Sequence, residues 1–212
     1  MKKKNIILLS AVLVAFIAAN ARTISNFFVS EPDNVFMLVD SRTRMDLLDY
    51  YAAGRKVTAD NNISDITSLI KVDSNYMAVK MSESNIVQMG LLNKSKKDTV
   101  IIVVNTVELP AKDSSIKFYS TSWDELDGEQ NFKEPQIDDF IKIPAGATMS
   151  KKDVLNAITF PLISYSLDED LNLVAYQNMK DFMSKDDYAK IKPYLIDSIE
   201  YQYAKGKYKI VK

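Results

Sequence analysis

Apolar positions recur along this chain at two different spacings, and the change between them divides it. From Thr23 to Gly54 the spacing is helical. Ile24, Phe27, Phe28, Val35, Phe36 and Leu38 predict a first helix, with Glu31-Pro32 placed as in a first turn, where proline's missing N–H is harmless. Met45, Leu47, Leu48 and Tyr51 predict a second, with Ser41 as its cap and Gly54 at its C-terminal end. Both helices are amphipathic, so each needs a surface to lie on.

From Tyr76 the period becomes two. Met77, Val79 and Met81 point one way and Tyr76, Ala78, Lys80 and Ser82 the other. A turn over Ser82–Asn85 leads to a strand from Ile86 to Leu92, and a polar turn over Asn93–Asp98 leads to the next. Val100 to Val104 is apolar without interruption, the mark of a central strand covered on both faces. Pro110–Asp113 turns the chain into a strand from Ile116 to Trp123. Connections this short favour antiparallel hairpins over crossover helices.

The polar, acidic stretch from Asp124 to Asp139 is the place for a long loop, or for a subdomain boundary near 124–140. Regular signals then resume. Ser150 and Ser184 are expected N-caps of short helices, two strands flank Asp168-Glu169-Asp170, and a last hairpin turns near Lys205-Gly206. The pattern gives an α+β fold: two N-terminal helices, a large, mostly antiparallel meandering sheet, and short helices between the later hairpins.

The first 21 residues change the picture of where this fold works. Lys2, Lys3 and Lys4 precede an apolar run from Ile6 to Ala19, broken only by Ser10, and Ala19-Asn20-Ala21 follows. This is the order of a secretory signal peptide, with cleavage expected after Ala21. The run is shorter than the ~20 residues that span a bilayer, so no stable membrane span is expected after cleavage. Residues 22–212 are then a single α+β domain, long enough to build its own core. With no cysteine, that core has no disulfide support and the protein carries no lipoprotein lipid, which points to an exported bacterial protein of the periplasm or cell envelope. Without Lys2, Lys3 and Lys4, the 27 basic side chains become 24 against 28 acidic ones, a net charge of −4. Such a balance argues against nucleic acid as a partner.

The sequence of pieces "SRTRMDLLDYY", "DSNYMAVKMSES", "VIIVVNTVELPAKDSSIKFYSTSWDEL" and "SKDDYAKIKPYL" resembles a Bacteroidetes exported family catalogued as Domain of Unknown Function 3256. The resemblance covers almost all of the chain beyond residue 21, and its most specific part runs from Thr99 to Leu126. It implies a bacterial envelope location and an α+β fold. It implies no activity, no cofactor and no catalytic residue.

Composition removes much familiar chemistry. The absence of histidine excludes Ser-His-Asp and Cys-His catalysis and the commonest zinc ligand, and the absence of cysteine excludes thiol chemistry. Five glycines build no phosphate-binding loop. Ser114–Lys117 and Ser68–Lys71 match a serine–lysine template, but residues three apart on a strand face opposite ways. Asp60–Asp65 places oxygens at alternate positions as a calcium loop does, yet lacks the glycine and the glutamate such a loop needs, so an Asn/Asp turn is expected. No cofactor or metal is expected.

What is left is aromatic surface. Lys117, Tyr119, Thr121 and Trp123 share one face of their predicted strand, and Tyr201 and Tyr203 share one face of the last hairpin. These residues read either as a ligand platform or as a core plug; burial of ~150–250 Å² per aromatic favours the plug for Trp123. The leading expectation is a non-enzymatic envelope module that binds a protein, a peptide or a glycan. Its rival is a hydrolase acting on polysaccharide through two carboxylates roughly 5–9.5 Å apart. A structural or inhibitory protein that blocks a partner with a flat sheet face is a third reading.

Overall fold

A computed structural model describes residues 22–55, 58–60, 66–95 and 98–211 of the chain. The secretory leader pattern and nearly all of the oxygen-rich segment 60–65 lie outside these residues.

Helix α1 (Ile24–Ser30) and helix α2 (Ser41–Ala52) open the described chain. The spacing of Val35, Phe36 and Leu38 predicts a helix that does not form there. Pro32 forces the residue before it into extended backbone, and Glu31 accordingly leaves α1 at φ −64°, ψ 133°. The Glu31 carboxylate then accepts the N–H groups of Asn34 at 2.7 Å, Val35 at 2.8 Å and Phe36 at 3.3 Å, folding the segment into a tight loop. Asp40, rather than Ser41, caps α2, accepting the Thr43 N–H at 2.7 Å. That bond from the Thr43 backbone holds the Asp40 carboxyl below its ordinary range. Gly54 closes α2 at φ 65°, where its own N–H reaches Tyr51 and that of Arg55 reaches Tyr50, a Schellman end.

The sheet that the helices need is a seven-stranded antiparallel meander in sequence order: β1 (Thr58–Asp60), β2 (Ile66–Val72), β3 (Tyr76–Ser82), β4 (Asn85–Ser95), β5 (Asp98–Val107), β6 (Asp113–Tyr119) and β7 (Glu125–Leu126). Its odd-numbered positions, among them Met77, Met89, Ile101 and Val103, form one core with α1 and the loop after it. Its even-numbered positions, among them Ala78, Leu92, Ile102, Val104 and Phe118, form another. The run from Val100 to Val104 is apolar throughout because β5 contributes to both.

A second antiparallel sheet covers the even face. It contains β8 (Ile163–Leu167), β9 (Leu173–Gln177), β10 (Ser198–Ala204) and β11 (Lys207–Ile210), in the order β11-β10-β9-β8. The large antiparallel meander read from the sequence is the seven-stranded sheet; that the later hairpins form a second sheet is not readable there, because strand period alone does not say which strand pairs with which. Helix α3 (Lys151–Ala157) lies before β8, and helices α4 (Met179–Phe182) and α5 (Lys185–Ile191) lie between β9 and β10. Ser150 and Ser184 cap α3 and α5. Val154, Ile191 and Tyr194 give these helices a small core of their own. No helix among the described residues is long and apolar enough to cross a membrane.

The acidic stretch 124–139 carries the chain from one sheet to the other. Its Phe132 is buried between the sheets, edge-on to Tyr165, Tyr201 and Tyr208 at 5.7, 5.0 and 5.8 Å. The two layers approach closely at Gly90, where a Cβ would stand 2.6 Å from Leu171 Cδ2 and force that side chain to shift.

Candidate functional site

Where edge strand β8 meets the large sheet, the two layers leave an open groove of about 360 Å³. Ile70, Tyr76, Ala78, Ile86 and Gln88 line it from β2, β3 and β4. Ser164, Tyr165, Ser166 and Tyr176 line it from β8 and β9, and Glu108 and Lys112 from the turn between β5 and β6. It lies at the seam because β8 ends the small sheet there, and period-two alternation brings the even side chains of β3 and β4 beneath it.

Gln88 holds this seam. Its Nε2 donates to the Leu167 carbonyl at 2.6 Å and to the Tyr76 hydroxyl at 2.8 Å, and its Oε1 accepts the Leu167 N–H at 3.1 Å. Ser114 Oγ accepts the next outward N–H of β8, from Tyr165, at 3.0 Å. Side chains of the large sheet thus occupy backbone groups that an added strand would otherwise use. Near Tyr76 the layers are tied again by Lys71 Nζ and Glu169 at 3.0 Å. Burial raises the Tyr76 hydroxyl above its ordinary value, against the opposing hydrogen bond from Gln88.

Within the groove the charges are matched. Lys112 Nζ lies 2.8 Å from Glu108. Tyr176 and Ile70 remain well exposed on its rim, at 40% and 51%. The groove offers an apolar floor, aromatic walls and hydroxyl groups, the mixture of a small-molecule site.

A family model described as "Protein of unknown function (DUF3256)" matches residues 16–208. The chain belongs to that family. No curated protein matches it. Among solved structures it is similar to a domain of an uncharacterized protein from Porphyromonas gingivalis W83, a member of the Bacteroidetes, with a TM-score of 0.77 and 23% identity. The likeness covers 89% of this chain and 98% of that one, and at this identity it concerns the fold.

The groove is not where sequence reasoning looked. Strand β6 ends at Tyr119, so Trp123 does not continue its face; it lies in the turn beyond, at φ 68°, with its N–H on the Ser120 carbonyl at 3.0 Å. Ser120 Oγ accepts the N–H groups of Ser122 and Asp124, and this local bonding ends the strand. The turn nevertheless returns Trp123 to the Tyr119 ring, 5.3 Å away, in the helix-facing core. Trp123 is 9% exposed, and its buried Nε1 has no hydrogen-bond partner among the described residues. Lys117 is exposed and paired with Glu125 at 2.8 Å, a bond that raises its pKa.

Tyr201 and Tyr203 lie on the opposite side of the large sheet from Trp123. Tyr201 is buried beside Phe132, and burial pushes its hydroxyl up to about 12. Tyr203 is half-buried against Tyr208, its ring 5.2 Å away. The five residues thus form no single surface. Ser114 and Lys117 likewise part, Ser114 to Tyr165 and Lys117 to Glu125.

Acidic groups gather at a second cavity of about 580 Å³, lined by Asp127, Glu129 and Glu134 beside Lys133 and Phe132. Asp127 there accepts the Glu129 N–H and a Gln130 amide N–H. Asp168 caps its own hairpin through the N–H and side-chain amide of Asn172.

Sequence reasoning missed Gln88, Tyr176 and Ile70. Gln88 did carry a signal, as the polar residue interrupting the apolar positions Ile86, Gly90 and Leu92 on one face of β4.

Proposed function

We propose that the protein is a non-enzymatic binding module of the bacterial cell envelope, exported by way of residues 1–21, with the seam groove as its ligand site. The observation that carries this reading is a groove with exposed aromatic and apolar rims at the seam where the Gln88 bonds tie β4 to β8. The leader pattern, the lack of cysteine and the membership of a Bacteroidetes family support the location. A carboxylate hydrolase would fall to the second cavity, where Asp127 already caps the short 3-10 turn Gly128–Gln130. That commitment makes it the weaker reading.

The test is retention of envelope material on immobilised protein, compared between the native chain and Ile70→Asp. Ile70 is exposed, so the variant keeps the fold while placing a charge on the groove rim. Native protein should retain a molecule, return it chemically unaltered, and lose it with Ile70→Asp. Equal retention by both proteins, or recovery of cleaved material, contradicts the proposal.

A further inference from the structure

Resting on the groove as ligand site, we infer that its occupant is a short, uncharged saccharide and not an extended peptide. Three observations converge on this. The first is charge. Among the described residues the only charged side chains lining the groove, Glu108 and Lys112, bond each other at 2.8 Å, so this lining carries no net charge to attract an ion. An uncharged ligand that can share hydrogen bonds with such a pair is the best electrostatic match.

The second is backbone occupancy. Peptides bind sheet edges by adding a strand, which needs free main-chain donors and acceptors on that edge. On β8 the outward N–H groups of Tyr165 and Leu167, and the Leu167 carbonyl, are held by Ser114 and Gln88. A peptide would have to break these bonds before making its own.

The third is the arrangement of apolar and hydroxyl groups. Ala78 and Ile86 supply an aliphatic floor, and Ile70 and Tyr176 an exposed apolar and aromatic rim. Ser166 and Tyr176 stand beside it with hydroxyls that make no hydrogen bond within the described residues. A sugar ring presents the complement: an apolar C–H face and an edge of hydroxyls. At about 360 Å³ the groove is at the lower end of the ~300–1,000 Å³ of small-molecule sites, which limits the ligand to a short saccharide.

The experiment is NMR titration of isotope-labelled protein with maltose, cellobiose and N,N′-diacetylchitobiose, and separately with a blocked hexapeptide of alternating valine and threonine. The expected result is that at least one disaccharide shifts the amides of Ile70, Ser166 and Tyr176, with no comparable response to the peptide. Tyr176→Ala should then weaken the affinity about tenfold, the loss expected for one aromatic contact. Ser166→Ala, at an exposed position that the fold does not use, should weaken it while leaving the spectrum otherwise native. Groove shifts from the peptide alone would overturn the saccharide and leave the groove as the binding site. Groove amides silent to every probe, or saccharide shifts confined elsewhere, would overturn both.

Discussion

Gln88 and Leu167, 79 residues apart, exchange two hydrogen bonds: the glutamine amide donates to the leucine carbonyl at 2.6 Å and accepts its N–H at 3.1 Å. One side chain of the large sheet therefore serves β8 as a neighbouring strand would. Replacing it with methionine keeps most of the volume but strands both groups of Leu167 and removes the partner of Tyr76. Unsatisfied buried polar groups cost about 1–3 kcal/mol each, so Gln88→Met should lower stability by about 2–3 kcal/mol. Urea unfolding would measure the shift, and a loss below about 0.5 kcal/mol would mean that water replaces the amide.

A second buried polar centre fixes the N-terminal layer. Arg44 is fully buried, with Nη1 2.8 Å from Asp33 and 2.9 Å from the Val39 carbonyl, and Nη2 2.6 Å from the Glu31 carbonyl. The rings of Phe28 and Phe36 flank its guanidinium at 6.0 Å. Arg44 Nη1 also lies 3.5 Å from the buried Glu31 carboxylate. Removing one partner of a buried ion pair typically costs about 3–5 kcal/mol, so Arg44→Ala, which leaves Glu31 uncompensated, should destabilise by that order. Arg44→Lys should recover only part of the loss, because an ammonium cannot present the planar fork these carbonyls bind. Full recovery by lysine in thermal unfolding would show that charge alone matters at this position.

Much of this fold was legible in the chain. Alternation put Met77, Val79 and Met81 on one face of β3, though not which face the helices cover, and the unbroken run from Val100 to Val104 marked a strand covered twice. Ser150 and Ser184 marked their helices because an N-cap is a local interaction. Partition into two sheets was not legible, since it depends on Phe132, Gly90 and Gln88 meeting residues far away in sequence. The groove was hidden for the same reason: Ile70 and Tyr176 come from different sheets. Trp123 is the chain's one tryptophan, and only the left-handed turn explains how it rejoins Tyr119.

Trp123 gives a direct optical test of that turn. At 9% exposure in an apolar core, it should emit at short wavelength and resist quenching by iodide. In Arg44→Ala the same emission should move to longer wavelength if the helix layer loosens. A red, readily quenched spectrum from the native protein would place Trp123 on the surface and contradict the packing described above.

Alkaline titration tests the aromatic core between the sheets. Burial raises the hydroxyls of Tyr165, Tyr201 and Tyr208, with Tyr201 reaching about 12 from an ordinary value of 10.0. Above pH 10 the unfolded chain loses these protons while the folded chain keeps them, so stability is fully present below pH 10 and falls as pH rises toward 12 and beyond. Denaturant midpoints measured from pH 7 to 12 should be flat with respect to these groups and then drop, with tyrosinate absorbance from the buried rings appearing together with unfolding. Full tyrosinate absorbance near pH 10 in the folded protein would contradict their burial.

The most direct test of the groove as ligand site is hydrogen exchange, followed by mass spectrometry, with and without the disaccharide and peptide probes. Slowed exchange is expected in residues 66–72, 163–167 and 173–177, the strands that carry Ile70, Ser166 and Tyr176. Protection confined to residues 127–136 at the acidic cavity, or to the helices of residues 151–194, would contradict the account.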